Sequence, residues 1–364
     1  MKIAHLLPAF SAFSGIARAV YNLAKEQRIK GSEVTIFALE ADTNPPEGVA
    51  LEVVEMPRYP ILQKIYRVIM PLDIYRALKW VPKLKDFDVI YGHFYPMIWL
   101  AYLAKRFYNV KFVYYDHGIP QPKLLSSFVE RTYIRVITAL TNWTVKRADG
   151  AVCVSQYLQQ ELNKKTGLAT EVVYHKIDGS RFRRGLDGLR VRDKHNLGNR
   201  PLILYVGRIS PHKGCHLLIG AFSLVRRQFT EARLLMVGKY TFPLADYYNK
   251  LTEMGGDSVI FTGYVADEEL PFYYAACDVY ATGTMWEGFN FPLVEAQACG
   301  KPVVAFNLGP HPEVVRNGET GFLVPPEDTN ALAEAMVRLL QDDKLREQMG
   351  ENAYKMARER FSVI

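Results

Sequence analysis

Ionisable side chains stand directly after several predicted strands of this chain. Glu287 follows a strand that ends near Ala281, and Glu295 lies about one turn into a helix that begins at Pro292. Proline suits the first helical position because its fixed φ fits and its missing N–H is not needed there. A helix start offers unpaired N–H groups and a positive dipole, which suit a phosphate. The two carboxylates are better suited to hydroxyl groups, so together these features predict a site for a sugar nucleotide.

A second strand-end loop carries two cations. In the stretch Tyr205-Val-Gly-Arg-Ile-Ser-Pro-His-Lys-Gly214 the predicted strand ends at Gly207, and Arg208 and Lys213 lie in the loop before a helix. Arginine offers a two-pronged donor to phosphate, and lysine offers a point charge. The loop therefore predicts a diphosphate site; the alternative is a solvated basic loop without a ligand.

Two histidines also end predicted strands. His93 follows Asp88-Val-Ile-Tyr-Gly, and His117 follows the run from Lys111 to Asp116. A histidine at the carboxyl end of a strand in an α/β domain is well placed for proton or hydroxyl chemistry. The alternative for either is a structural, hydrogen-bonded histidine, and we favour that alternative for His93.

Strands and helices alternate along the whole chain, which predicts two doubly wound parallel sheets. At 364 residues the chain is long enough for two domains, each with its own core. We expect an acceptor-binding domain over 1–178, a linker rich in glycine and charge over 179–200, and a sugar-nucleotide-binding domain over 201–364. Ligands of such sheets bind outside the carboxyl ends of the strands.

The positive charge is concentrated in the first half of the chain. Residues 1–190 hold 27 Lys and Arg against 17 Asp and Glu, a balance of +10, whereas residues 191–364 hold 18 against 21, a balance of −3. This excess predicts an anionic partner for the first half, such as a phosphate-bearing acceptor or an anionic lipid surface. No nucleic-acid-binding motif accompanies the charge, so we expect no nucleic acid partner.

The amphipathic segment 59–87 interleaves apolar and basic side chains. Ile61, Leu62, Ile65, Tyr66 and Ile69 form an apolar face beside several lysines and arginines. We expect a surface helix whose apolar face packs on the sheet. The alternative is a segment that lies on an anionic membrane.

Cysteine usage and hydropathy point to the cytoplasm. The four cysteines have no paired spacing, which is typical of core residues in a reducing compartment. The N-terminal apolar run is too short for a signal peptide, and no apolar run is long enough to span a bilayer. We expect a cytoplasmic protein, with peripheral attachment to the inner face of the membrane as the second interpretation.

The loops around the two glutamates resemble a known signature. Glu287-Gly-Phe-x-x-Pro-x-x-Glu-Ala, followed by Cys-Gly-x-Pro-Val-Val-Ala, is similar to the motif of the retaining glycosyltransferases of family 4, which have the GT-B fold. The resemblance implies that Glu287 approaches the donor sugar, that Glu295 holds the ribose, and that Arg208 and Lys213 neutralise the diphosphate. The residues implied to line the rest of the donor site are Gly15, Gly207, Gly288, Phe289 and Asn290.

Two further positions bear on this resemblance. Asp116-His-Gly118 is similar to a His-Gly pair of the family, which makes His117 the preferred site residue of the first domain. Asn290 stands where the family commonly has glycine. Asparagine tolerates left-handed backbone angles better than most residues, so we expect the loop to form, with a side chain that narrows the sugar pocket.

The sequence as a whole predicts a retaining hexosyltransferase. The expected donor is a UDP- or GDP-sugar, and the expected acceptor is a glycan, a lipid or a phosphate-bearing molecule. Two cations and a helix start can hold the diphosphate, so we expect no metal and no cofactor. The alternatives are a phosphorylase or epimerase on the same fold, and a non-catalytic sugar-nucleotide-binding partner subunit.

Overall fold

The computed structural model describes residues 1–11, 15–55, 60–124, 127–240 and 244–363. Its contacts divide the chain into two compact units: unit 1 comprises Met1–Pro122 and Ser127–His175, and unit 2 comprises Lys123–Ser126 and Lys176–Ile364. The change from unit 1 to unit 2 along the chain therefore falls between 175 and 176, and the stretch 179–200 packs with unit 2.

Unit 1 is built on a parallel sheet of seven strands in the order β3-β2-β1-β4-β5-β6-β7. The strands are β1 Lys2–Phe10, β2 Glu33–Ala41, β3 Ala50–Val53, β4 Val89–Gly92, β5 Lys111–Asp116, β6 Gly150–Cys153 and β7 Thr170–Val172. The apolar runs of the sequence predict all of these except β3, which is short and half polar, and the run 172–174 overlaps β7 only at Val172. The central strands are almost entirely buried, because helices cover both faces of a parallel sheet.

Six helices connect these strands. They are α1 Gly15–Ile29, α2 Pro60–Ile69, α3 Ile74–Trp80, α4 Met97–Tyr108, α5 Phe128–Val145 and α6 Gln156–Thr166. Local chemistry fixes several of their ends. The Ser155 hydroxyl accepts a hydrogen bond from the Leu158 amide at the start of α6, and Gly167 closes that helix with a φ of 68°.

The expectation that the apolar face of 59–87 packs on the sheet is wrong for most of that face. Tyr66 is buried, but Leu62, Ile65 and Ile69 are about half exposed. Farther along, Met70, Trp80, Val81 and Leu84 supply the buried contacts instead. The segment packs through those larger side chains and leaves an apolar face uncovered. The part of the prediction that concerns residue 59 and the side chain of Ile61 lies outside the described residues.

Unit 2 has a parallel sheet of six strands in the order β11-β10-β9-β12-β13-β14, and a short parallel pair of β8 with β15. The strands are β8 Ile177–Asp178, β9 Leu202–Val206, β10 Arg233–Val237, β11 Val259–Gly263, β12 Val279–Thr282, β13 Val303–Phe306, β14 Gly321–Val324 and β15 Ser362–Val363. The helices are α7 Leu189–Lys194, α8 Cys215–Val225, α9 Ala245–Gly255, α10 Leu270–Ala276, α11 Phe291–Ala298, α12 His311–Val314, α13 Thr329–Gln341 and α14 Asp343–Phe361.

The core of unit 2 holds the two central strands in place. Helices α8 and α13 pack against β9 and β12 through fully buried aliphatic and aromatic side chains, among them Leu218, Phe222, Leu332 and Met336. Each such side chain contributes about 1.5–3 kcal/mol when it is removed from water. The carboxyl ends of β9 and β12, which carry the predicted donor-site loops, are therefore fixed side by side.

Candidate functional site

Two neighbouring strands of unit 2 bring the predicted cation and carboxylate together. Lys213 lies in the loop after β9, and Glu287 lies in the loop after β12. The Lys213 Nζ donates a hydrogen bond to Glu287 Oε1 over 2.6 Å. The two side chains are 18% and 12% exposed, so water screens this pair only weakly.

The two loops touch through their backbones as well. Gly214 has a φ of +59°, and a Cβ at this position would collide with the carbonyl oxygen of Gly283. The Met285 amide donates to the carbonyl of His212 over 2.9 Å. Only glycine allows this approach, so Gly214 holds the cationic loop directly against the acidic loop.

The Glu287 carboxyl group is set up to be ionised. Burial acts to raise its pKa, but the charge of Lys213 and the hydrogen bond from it outweigh that effect. The pKa of Glu287 therefore lies below its ordinary value. The Thr284 hydroxyl lies 3.3 Å from the same oxygen and can also donate to it. Glu287 is thus a buried, charged hydrogen-bond acceptor.

Arg208 occupies a different position from Lys213. Its side chain is exposed, and it forms no ion pair with any residue that the structure describes. Its backbone is fixed, because its carbonyl oxygen accepts a hydrogen bond from the Tyr205 hydroxyl over 2.9 Å. The adjacent Gly207 has a φ of +156° and packs against the Tyr205 ring. The loop that carries Lys213 therefore also presents the Arg208 guanidinium to solvent.

Asn290 adopts the left-handed conformation that the sequence analysis anticipates, with a φ of 76°. Its side chain is buried and points at His311 rather than at open space. His311 Nδ1 donates to the carbonyl of Phe306 over 2.7 Å, so its Nε2 accepts from the Asn290 amide over 3.0 Å. Burial lowers the pKa of His311, which keeps it neutral in this role.

His311 is a site residue that the sequence analysis misses. It follows β13, the neighbour of β12, so its position after a strand is the signal that could have found it.

Glu295 lies deep inside unit 2. It is 0% exposed, and its Oε2 accepts a hydrogen bond from the Tyr274 hydroxyl over 2.7 Å. The sequence places it correctly in the second turn of α11. Its role toward a ribose stays a prediction.

The other predicted donor-site residues are distributed over both units. Gly288 and Phe289 are buried in the loop before α11, where the Phe289 ring packs against Phe291 and Phe361. Gly15 begins α1 in unit 1 and is exposed. Strand β1 ends at Phe10, and residues 12–14, which lie between that strand and Gly15, are outside the described residues.

His117 belongs to a buried row of four histidines in unit 1. Its Nε2 lies 2.8 Å from His93 Nδ1, and its Nδ1 lies 3.3 Å from His175 Nε2. His93 Nε2 in turn lies 2.8 Å from His5 Nδ1. Burial lowers the pKa of all four, to about 4 for His5 and about 3 for His175. The structural role favoured for His93 agrees with these contacts, whereas the sequence gives no reason to connect His5.

None of the helices in the described part of the chain combines the length and apolar content needed to cross a membrane.

Family models match both halves of the chain. Residues 13–181 match the model described as Glycosyltransferase Family 4, and residues 189–356 match the model described as Glycosyl transferases group 1. The two matches fall in unit 1 and unit 2 in that order, apart from a few residues at the boundary.

Individual relatives are glycosyltransferases too. The chain is 27% identical to an alpha-D-kanosaminyltransferase of Streptomyces kanamyceticus over 281 residues, which is 74% of this chain and 70% of that protein. It is 34% identical to a GDP-mannose-dependent alpha-(1-6)-phosphatidylinositol monomannoside mannosyltransferase of Mycolicibacterium smegmatis over 218 residues, 56% of each chain. The alignment thus spans about half of that mannosyltransferase.

A solved structure extends the similarity to the whole fold. The Anabaena protein HepE, crystallised with UDP and glucose, superposes with a TM-score of 0.81 at 26% identity, covering 100% of this chain and 96% of HepE. The two parallel-sheet units, the strand-end loops and both family matches lead to one conclusion. The chain belongs to the glycosyltransferases of family 4, with the GT-B fold, and transfers sugars from nucleotide sugars.

Proposed function

We propose that this glycosyltransferase retains the anomeric configuration, needs no metal, and moves a hexosyl unit from a UDP- or GDP-sugar. The observation that carries the proposal is the half-enclosed Lys213–Glu287 pair, with Arg208 exposed on the same loop as Lys213. Two similar proteins support these two nucleotides, since HepE was solved with UDP and the mannosyltransferase depends on GDP-mannose.

Each charged group has a task in this proposal. The Lys213 ammonium has three donors, so one bond to Glu287 leaves two for phosphate oxygens. Together with Arg208 it stabilises the negative charge that develops as the diphosphate departs. Glu287 accepts hydrogen bonds from hydroxyls of the donor sugar, because it is ionised and enclosed. Lys213 and Arg208 perform the charge neutralisation that a divalent metal performs elsewhere.

The proposed acceptor is a glycan, a lipid-linked sugar or a phosphate-bearing molecule that binds unit 1. The charge of the first half, +10 over residues 1–190, supports an anionic acceptor. His117 serves the reacting end in this proposal. A phosphorylase or an epimerase is the competing activity, and it would consume the donor with phosphate or with no acceptor.

The test is a transfer assay with UDP- and GDP-hexoses on glycan and lipid-linked acceptors. We expect nucleoside diphosphate to be released only when an acceptor is present, the product to keep the donor's α or β configuration by NMR, and a chelator to leave the rate unchanged. An inverted product contradicts the retaining mechanism. Loss of the rate in chelator, restored by a divalent cation, contradicts metal independence.

We also propose that the stretch from Leu62 in α2 to Lys79 in α3, here called the apolar ramp (residues 62–79), docks on an anionic membrane. Its exposed apolar side chains include Leu72, Ile74, Tyr75 and Leu78, which are 70–78% exposed. Exposed Lys64 and Lys79 lie among them and complement an anionic lipid surface. A polypeptide that is both strongly apolar and basic on one exposed stretch suits the lipid–water interface better than water.

A further inference from the structure

The four-histidine row continues to a fifth side chain, Gln27. That side chain sets the direction of the N–H bonds along the row. His5 Nε2 lies 2.7 Å from Gln27 Oε1 on helix α1. An amide oxygen can only accept, so His5 Nε2 carries the hydrogen. Neutral His5 then has a lone pair at Nδ1, which must accept from His93 Nε2–H.

The same reasoning continues along the row. His93 Nδ1 accepts from His117 Nε2–H, and His117 Nδ1 accepts from His175 Nε2–H. Each neutral imidazole has one donor and one acceptor, so the choice made at one ring dictates the choice at the next. All four rings are therefore Nε2–H tautomers, with their N–H bonds directed toward Gln27.

An isolated row of this kind has no preferred direction. If every hydrogen moved to the other nitrogen, each N–H···N bond between neighbouring rings would still be made. Only the groups at the ends distinguish the two arrangements, and Gln27 Oε1 is the acceptor at the end formed by His5. The four rings are 0–9% exposed, so bulk water does not supply alternative partners.

We propose that Gln27 is a positioning residue that, through His5 and His93, holds His117 as the neutral Nε2–H tautomer. The proposal rests on the proposed function only in the part that makes His117 serve glycosyl transfer. Positive charge develops on the sugar during such transfer, so a neutral imidazole is preferable there to a cation. The fixed tautomer also decides that Nδ1 of His117 is an acceptor.

The ionisable groups around the row do not disturb this arrangement at neutral pH. The rings of Tyr91 and Tyr115 pack against the histidine rings, and burial raises the pKa of both phenols. Burial raises the pKa of Asp116 to about 6, and its carboxylate accepts from the Gly118 amide rather than from the row. The negative charges of Glu26 and Glu171 raise the pKa of Tyr115 further.

The test measures tautomers directly in the ligand-free full-length chain. Long-range proton–nitrogen NMR correlations of isotope-labelled histidine distinguish Nε2–H from Nδ1–H rings, and the four histidines outside the row all lie beyond residue 175. At neutral pH we expect Nε2–H for all four row members. An Nδ1–H form or a mixture at His93 or His117 in the unaltered chain overturns the proposal without any variant or assay.

Gln27→Met keeps the length of the side chain and removes the acceptor. We expect mixed tautomers in the row and a kcat at least about twofold lower, because only a fraction of the molecules then has the competent form. Affinity for the nucleoside diphosphate should not change. The matched control is Gln159→Met, which removes another glutamine bond in unit 1, from its side chain to the carbonyl of Thr170. This control should keep uniform tautomers and an unaltered kcat.

Two outcomes separate this proposal from the proposed function. Uniform Nε2–H tautomers in Gln27→Met would show that Gln27 does not set the row, whatever the enzyme transfers. Mixed tautomers with an unchanged kcat would confirm that Gln27 sets the row and would refute a role of the His117 tautomer in transfer.

Discussion

At the scale of single residues, the central feature is the bond between Lys213 and Glu287. The two charged groups are 2.6 Å apart, and each is the main charged partner of the other. Removal of one partner from such an enclosed pair leaves the other charge buried and costs about 3–5 kcal/mol in fully buried cases. Loss of either partner should therefore lower the stability of unit 2, because it leaves the other charge enclosed without its partner.

Separate tasks for these residues predict separate effects on ligands. Lys213→Ala should weaken binding of the nucleoside diphosphate by about 2–5 kcal/mol, because a charged partner of the phosphates is lost. Glu295→Ala should weaken it too if the carboxylate binds ribose. Glu287→Ala should weaken binding of the intact donor or lower turnover. It should leave the affinity for the nucleoside diphosphate unchanged, because that ligand has no donor sugar. Calorimetric titration with both ligands measures the difference.

The folding of each variant needs its own control, since the pair also supports the fold. Glu287→Gln keeps an acceptor beside Lys213 and should fold as the unaltered chain does. The assignment is wrong if Glu287→Ala lowers nucleoside diphosphate affinity as much as Lys213→Ala does.

At the scale of elements, the start of α11 depends on one backbone conformation. Asn290 at a φ of 76° ends the donor loop, and Phe291 and Pro292 then begin the helix. The side-chain bond to His311 anchors this turn to the loop after β13. The loop thus has the left-handed conformation that favours glycine and gains a hydrogen bond that glycine cannot make.

Substitutions at Asn290 separate these two contributions. Asn290→Gly keeps the left-handed turn and loses only the bond to His311, so it should lower the free energy of unfolding by about 0.5–1.5 kcal/mol. Asn290→Ala loses the same bond and adds about 1–2 kcal/mol of left-handed strain. Urea unfolding of both variants shows which has the lower free energy of unfolding. Equal stability of the two variants would contradict the argument from the backbone.

The apolar ramp is the second element with a testable consequence. The full-length chain should cosediment with vesicles that contain anionic lipid, and added salt should release it, because exposed charges are screened beyond about 8–10 Å near physiological salt. The triple variant Leu72→Ser, Ile74→Ser, Leu78→Ser should bind much less. The matched control is Phe128→Ser with Val129→Ser, two side chains of α5 that are 72% and 73% exposed. Equal recovery with neutral and anionic vesicles, or none with either, would refute the docking proposal.

At the scale of the whole molecule, the buried neutral histidines make the stability of unit 1 depend on pH. The row histidines are neutral and buried when folded, with pKa values lowered from 6.5 to about 4 for His5 and about 3 for His175. Unfolded histidines take up protons as pH falls through 6.5, while the folded row does not. The stability of unit 1 should therefore fall with pH below 6.5. Asp116, whose pKa is raised from 3.8 to about 6, acts in the opposite sense below pH 6.

Replacement of one histidine of the row should change the slope of stability against pH by a known amount. Each histidine adds about 1.4 kcal/mol per pH unit while only the unfolded form is protonated. His175→Gln should remove about one such contribution between pH 6 and pH 4, the range set by the ordinary value of 6.5 and the folded value of about 3. Hydrogen exchange at amides of β1, β4 and β5, followed against pH, measures the stability of unit 1 and so its slope. An unchanged slope would mean that His175 is already protonated in the folded chain.

The sequence by itself determined the elements and the residues that follow them. Strands β9, β13 and β14 occupy the ranges that their apolar runs predict, 202–206, 303–306 and 321–324. The short-range signals are strong there because a buried parallel strand is an uninterrupted apolar run between turn residues. The left-handed turn at Asn290 is likewise a local property of one residue.

Only the tertiary structure decided which of these residues meet. The order of strands places β4 between β1 and β5, and this order is what aligns His5, His93 and His117. It places β12 beside β9, and this joins Lys213 to Glu287 across 74 positions of the chain. The orientation of Gln27 toward His5 depends on how α1 packs on the sheet. A local pattern fixes backbone conformation, but contacts between distant side chains depend on strand order and on helix packing, which local patterns do not specify.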